Sequence, residues 1–377
     1  MIWLAIPAFA AAAYYCLAMV AAATWRARSR GGAVSGAAPP LSILKPVHGR
    51  DPQFYKAILS HATQEYPEFE ILFGTNNVED PALPDIRRLQ KEFPNRRIEI
   101  VIANNDAPNA KVGVLEELAK LARFPVLLVN DSDIVVEPGY LHAVTAPLAN
   151  PGVGLVTCLY RAAAQSWPAR SEALGIATEF APSVMVARLL GVADFALGST
   201  MVFRTEALER IGGFRAIANY LADDYQLGRH IAQLGYRIEF APVVVETDLG
   251  GGSWGQIWRH QLRWSRTIRV SRSAGYYGYV VTHATLWSLV ALAAGQWQAA
   301  AAVLAVRVAA GVWIGAGILG DAKVLRDFWM IPLRDLFGFA IWAGGLSGDT
   351  VQWRDRRLKL RPDGRILDEP QAAPTPH

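Results

Sequence analysis

Two aspartates one residue apart, Asp131 and Asp133, follow the apolar run Pro125–Asn130 in this 377-residue chain. Carboxylates presented together at the carboxyl end of a strand suit a hard divalent cation and the phosphates it carries. A buried charge without a partner is costly, so such a strand must expose its acids or pair them. The tripeptide alone is equally compatible with a solvated loop that caps the next element.

A second acidic pair lies in Tyr220-Leu221-Ala222-Asp223-Asp224-Tyr225-Gln226, which opens a helical pattern ending at Gly235. Asp223 with Gln226 reads as a capping-box-like arrangement worth about 1 kcal/mol. Capping leaves Asp224 unexplained. In the first turn its pKa is expected to be lowered by the helix dipole. An ionised aspartate facing a cleft can accept the proton of an attacking hydroxyl. Further on, Arg259, Arg263 and Arg266 share one helical face, continued by Arg269 and Arg272. Such a stripe can meet lipid phosphates or bind a diphosphate through the guanidinium fork.

The elements that must position these groups alternate. Strands are expected at Leu41–Val47, Phe69–Gly74, Ile98–Ala103 and Pro125–Asn130. Helices are expected at Gln53–Thr63, Asp85–Phe93 and Val112–Leu121. Continuously apolar runs such as Val126–Val129 suit strands covered on both faces, and the alternation predicts a mostly parallel, Rossmann-like α/β sheet. Asp80, Asn104 and Asp131 all follow strands, on the side where such sheets bind ligands. Neither a Gly-x-Gly-x-x-Gly after the first strand nor a P-loop is present, which disfavours dinucleotide oxidoreductases and P-loop hydrolases.

The flanks read as membrane segments. The chain is 52% hydrophobic with mean hydropathy +0.18, and Ile2–Thr24 carries no charge. Arg26, Arg28 and Arg30 follow it and none precedes it, so an uncleaved anchor is expected over residues 1–25, with the amino terminus outside. A small-residue linker (26–40) leads to the α/β domain (41–250), an interfacial helix (251–275) and membrane segments (276–350). A basic, then polar, tail (351–377) ends the chain. Within 276–320 a hairpin is expected to turn at Gly295–Gln298. Its second limb contains Arg307, where a charge costs about 2.5–3.5 kcal/mol and must face protein, water or a headgroup. Leu336–Gly348 is short and, by the positive-inside tendency, is expected not to cross. Nine of the 12 Trp follow residue 250, as in an interfacial belt. The net charge of +4 comes without a basic–aromatic groove, so nucleic acid is not an expected partner. Two cysteines, Cys16 and Cys158, make neither a disulfide framework nor a zinc site.

In order and spacing, Phe73–Pro81, Asn130–Val136, Leu221–Tyr225 and His260–Trp264 resemble the motifs of the ceramide glucosyltransferases and their bacterial relatives, including hopanoid-associated glycosyltransferases. The resemblance covers most of the chain. It implies an inverting, family 2-like glycosyltransferase with a GT-A fold, an N-terminal transmembrane anchor and a C-terminal membrane hairpin plus a short hydrophobic segment. By the same resemblance Asp80 and Lys111 lie on the donor side. Asp131 and Asp133 hold Mg2+ or Mn2+ and the diphosphate, Asp224 is the general base, and Arg263 and Trp264 serve the donor. His260 stands where relatives carry Gln or Arg, and Asn77 where some carry another acid. The implied reaction moves a hexose or N-acetylhexosamine from a UDP-sugar to a hydroxyl of a ceramide, sphingolipid or hopanoid polyol. The implied place is a multi-pass protein of a bacterial inner membrane with a cytoplasmic catalytic domain. The alternatives are a polyprenyl-phosphate glycosyltransferase, a polysaccharide synthase, which usually has more spans, and a non-enzymatic scaffold.

Overall fold

Short, continuously buried runs organise the middle of the chain. The computed structural model describes residues 5–31, 38–353 and 356–367. Its main sheet contains β1 (Leu41–Pro46), β2 (Phe69–Thr75), β3 (Ile98–Ile102), β4 (Val126–Val129), β5 (Val153–Ala163), β6 (Met201–Arg204) and β7 (Arg237–Asp248). The strand order is β3-β2-β1-β4-β6-β5-β7. Strands β1 to β4 are parallel, β6 runs against β4 and β5, and β7 is parallel to β5. The expected mostly parallel α/β sheet is therefore present, with one reversed strand.

The helices are α1 (Ile6–Gly31), α2 (Phe54–Ala62), α3 (Leu83–Glu92), α4 (Ala110–Leu121), α5 (Tyr140–Thr145), α6 (Trp167–Gly175), α7 (Ala181–Leu189), α8 (Thr205–Arg210) and α9 (Asp223–Gln233). Alternate strand residues face opposite layers. Ile43, Ile71, Phe73 and Leu128 meet Phe54, Ile58, Leu89 and Leu141 on one face. Leu44, Leu72 and Leu127 meet Leu115, Leu118, Leu208 and Leu227 on the other. Burying both faces leaves the strand ends as the place where polar groups can gather.

Beyond the sheet come α10 (Trp254–Ser271), α11 (Ser273–Gly278), α12 (Ala284–Ala293), α13 (Trp297–Val312), α14 (Lys323–Asp327) and α15 (Ile331–Gly345). Two helical stretches, Ile6–Ser29 and Trp297–Ile318, are long and apolar enough to cross a membrane. On α1 the buried residues Ala8, Ala11, Tyr15, Ala18 and Ala22 form a helical stripe, mostly of small side chains that permit close packing. Helices α12 and α13 turn at Gly295, whose φ of 77° suits glycine. Helix α12 has ten residues, about 15 Å at 1.5 Å per residue, so it is shorter than the bilayer core. Helix α15, with 15 residues, is also short of a span.

Arg307 faces protein. It is fully buried, its Nη2 lies 2.6 Å from Asp335 Oδ1, and it sits over the Tyr15 ring. Thr285 donates to the same carboxylate at 2.8 Å. Nearby, Arg334 pairs with Glu179 and donates to Gln261 Oε1.

Two expectations are corrected by this part of the fold. The carboxyl-terminal part of the arginine stripe, from Arg266 to Arg272, holds protein. Arg266 donates to the carbonyls of Ser347 and Thr350, Arg269 to those of Leu346 and Gly348, and Arg272 pairs with Asp194. The stretch expected as a basic tail begins as a three-stranded sheet, β8 (Thr350–Trp353), β9 (Arg356–Leu360) and β10 (Ile366–Leu367). Val351, Leu358, Leu360 and Ile366 supply enough apolar surface to pack on Leu221. The start of the expected linker continues α1 as far as Gly31, while its middle, 32–37, and the end of the tail, from 368 onward, lie outside the described residues.

Candidate active site

The carboxyl ends of β1 and β4 meet the amino terminus of α9 and the end of β7. Asp131 and Asp133 follow β4. Lys111, in the first turn of α4, lies 2.8 Å from Asp131 Oδ1 and 3.2 Å from Asp223 Oδ2. Asn109 fixes that turn: its side chain accepts from Val112 N and donates to Tyr220 O at 2.8 Å. The start of α4 is thereby tied to the loop before α9, and Ile366 N donates to Asn219 O on the same loop.

Asp224 accepts from Gly198 N at 2.9 Å and from Tyr225 N at 2.7 Å. A methyl group at Gly198 would stand 3.3 Å from Asp224 Oδ2 and 3.6 Å from Asp131 Oδ2. This glycine therefore keeps the space between the two carboxylates narrow and open. Asp133 accepts from the Thr247 hydroxyl at the end of β7.

Electrostatics set these acids apart from ordinary surface aspartates. Burial pushes Asp224 up to about 6 and neighbouring Asp223 adds to this, against Lys111 and the two amides. Burial likewise raises Asp133 to about 6, with Asp131 repelling it and the Thr247 hydroxyl opposing. The expected lowering of Asp224 by the helix terminus is therefore overturned, because desolvation and a like charge outweigh a fractional dipole. Burial works against the Lys111 ammonium too, yet Asp131 and Asp223 outweigh it and hold its pKa above the ordinary value.

The expected capping box at Asp223 and Gln226 does not form. The N-cap is Ala222 with no side-chain cap, and Asp223 instead pairs with Lys111. The box occurs at α10, between Ser253 and Gln256.

Asp80 is 3% exposed and works within the fold. It accepts from Gly49 N, the Thr75 hydroxyl and Ala82 N, binding the loops after β1 and β2 together. Arg263 and Trp264 lie on α10, where the Trp264 ring reaches Phe180 and His260. The sequence reading missed Gly198, Thr247 and Lys45. Lys45 is fully buried in β1, donates to Asp131 O at 3.2 Å, and is pulled down to about 7 by burial. A charge in a strand covered on both faces is the signal that marks it. A cavity of about 410 Å3 lined by Trp25, Arg28, Arg188 and Phe240 lies elsewhere and includes none of these carboxylates.

Comparisons with known proteins bear on the fold and the family. The structure superposes on a mannosyltransferase from Pyrobaculum calidifontis in complex with GDP-Man and Mn2+, with TM-score 0.54 and 18% identity over 91% of this chain and 99% of that one. That likeness supports the GT-A fold. Ceramide glucosyltransferase 1 of Caenorhabditis elegans is 30% identical over 200 residues, 52% of this chain and 43% of that protein. Ceramide glucosyltransferase 3 of the same organism is 28% identical over 204 residues, 53% and 44%. The matched stretch thus spans less than half the length of these curated relatives. The model of Glycosyl transferase family 21 matches residues 3–366, nearly the whole chain, and the chain belongs to that family.

Proposed function

We propose that this protein transfers a hexose or N-acetylhexosamine from a UDP-sugar to a hydroxyl of a membrane lipid, with inversion at the anomeric carbon. The observation that carries this reading is Asp224, raised to about 6 and held by two amides across Gly198 from Asp131. A carboxylate with a pKa just below neutral is ionised at working pH and still basic enough to take a proton from an alcohol. The alcohol oxygen attacks the anomeric carbon as its proton passes to Asp224, and the bond to UDP breaks on the opposite face. Orientation across a narrow gap supplies much of the acceleration.

The residues fit a divalent cation. Asp131 and Asp133 are hard oxygen donors whose proximity and burial already disfavour two bare charges. Among the described residues no group of three His, Cys, Asp or Glu side chains forms a ready ligand set, and Asp131 and Asp133 are the residues that would hold the ion. When bound, the ion neutralises charge on the departing diphosphate. Lys111 adds a fixed positive charge beside Asp131, and Asp80 holds the loops that frame the nucleotide. Arg263 and Trp264 on α10 complete the donor side in this reading.

The two long apolar helices and the shorter apolar α12 support a membrane-bound protein, with the α/β domain on the cytoplasmic side, where Arg26 and Arg28 follow α1's apolar stretch. The family match and the ceramide glucosyltransferase relatives support a sphingolipid-type or other lipid acceptor. The deciding test is purified protein in detergent with UDP-glucose, UDP-N-acetylglucosamine or UDP-galactose against ceramide, a hopanoid polyol and diacylglycerol. Mass spectrometry should find one glycolipid, its formation suppressed by EDTA and restored by Mn2+ or Mg2+. Full activity in excess EDTA would remove the metal from the mechanism.

A further inference from the structure

Helix α10 carries a titratable side chain that the reaction above leaves unused. His260 Nδ1 lies 2.7 Å from Glu172 Oε1 on α6, and the imidazole packs against Trp264 with ring centroids 4.6 Å apart. The carboxylate is almost wholly buried, at 1% exposure, whereas the imidazole is 33% exposed. Glu172 Oε2 is itself buried and has no hydrogen-bond partner in the structure. A carboxylate on Nδ1 fixes the tautomer with its proton on that nitrogen, leaving the Nε2 lone pair to accept from a ligand.

A run of aromatic rings connects the pair with β5. Ring contacts run from Tyr160 to Phe180 at 5.4 Å, from Phe180 to Trp264 at 6.5 Å, and on to His260. Burial pushes the Tyr160 phenol up, and the charges of Asp224, Glu172, Asp131 and Asp133 each add to the effect. On the other side, the helix bearing Glu172 runs through a π-helical turn, Ile176–Phe180, into α7. There Ala181, Val184 and Met185 pack with α1 and with Ile314 and Ile318. His260 is thus linked through aromatic rings to Tyr160, which feels the charge of Asp224, and through α6 to the apolar helices that a lipid alcohol would approach. A buried carboxylate directly behind it repels a phosphate and suits a neutral hydroxyl.

We propose that Glu172 and His260 form a hydroxyl-binding subsite for the acceptor, with Nε2 accepting a hydrogen bond from a second hydroxyl next to the one that attacks. The protein then selects lipid diols and polyols over lipids with a single alcohol. Glu172 is a positioning residue that acts through the imidazole. This inference rests on the lipid-glycosylation reading and narrows its acceptor class.

The test uses the full chain in detergent with UDP-glucose and UDP-N-acetylglucosamine as donors. Two matched acceptor pairs serve as probes: hexadecane-1,2-diol with 1-hexadecanol, and ceramide with its 3-O-methyl ether. The wild type should prefer the member with the second free hydroxyl by about tenfold in kcat/KM, the order expected for one hydrogen bond. In H260A that preference should fall below about twofold, through acceptor KM, with donor KM unchanged within about twofold. H260Q, whose amide oxygen can still accept, should keep part of the preference, and E172Q should weaken it by freeing the ring. Size-exclusion profiles and melting curves identify any variant that misfolds, in which case H260Q and E172Q decide. A preserved preference in H260A, or a loss confined to donor KM, overturns the subsite and leaves sugar transfer standing. No transfer by the wild type to any of the four alcohols with either donor overturns both readings.

Discussion

The polar groups at the strand ends and those among the apolar helices are organised on opposite principles. At the strand ends, Asp131, Asp133, Asp223 and Asp224 outnumber Lys111 and Lys45, and two of the acids are raised to about 6. Among the helices, Arg307 is matched by Asp335 and Arg334 by Glu179. Surplus negative charge creates a site that gains from a cation or a proton. One-to-one pairing creates a neutral brace that can stay buried. The first arrangement performs chemistry because it is incomplete; the second holds helices together because it is complete.

That contrast can be broken most severely at Asp224. D224N should lower kcat by about 10²–10⁴-fold, the usual contribution of a positioned base, with donor KM near wild type. Retained turnover would remove Asp224 as the base. Next in size, D335A leaves Arg307 charged and unpaired, and should cost about 3–5 kcal/mol of stability. It is read as a lower melting temperature in detergent, while R307M/D335L should recover most of the loss. A smaller effect sharpens the electrostatic side. Turnover limited by ionised Asp224 should fall about tenfold per pH unit below a midpoint near 6. Because Lys111 lowers the Asp224 pKa, K111M should move that midpoint upward; an unmoved acid limb would break the coupling. Smallest of all, G198A puts a methyl group 3.3 Å from Asp224 Oδ2. The side chain must give by a few tenths of an ångström, and activity should drop about three- to tenfold with little change in melting.

Legibility followed the range of the forces involved. The strands expected at Leu41–Val47 and Phe69–Gly74 occur at Leu41–Pro46 and Phe69–Thr75, because apolar periodicity is local and burial on both faces enforces it. The helix starting at Asp223 was likewise visible, but its capping was not: Ala222 is the cap, and Lys111 takes the aspartate that local rules assigned to Gln226. The arginines of α10 were read as partners for phosphate, and the carbonyls at residues 346–350 that Arg266 and Arg269 bind lie some 80 positions away. No periodicity reports such a partner. The same holds for the β8–β10 sheet, whose packing surface is Leu221.

The sequence by itself determined the alternating α/β domain, the apolar flanks and the ordered acidic motifs, since each is written in neighbouring residues. It also carried the family resemblance, which the match over residues 3–366 bears out. Tertiary structure decided what the acids are. Only folding brings Asp131 and Asp224 to either side of Gly198, sets Lys111 between two carboxylates, and buries Asp224 enough to raise it to about 6. Desolvation and charge proximity depend on three-dimensional distance, and a linear chain does not state that distance.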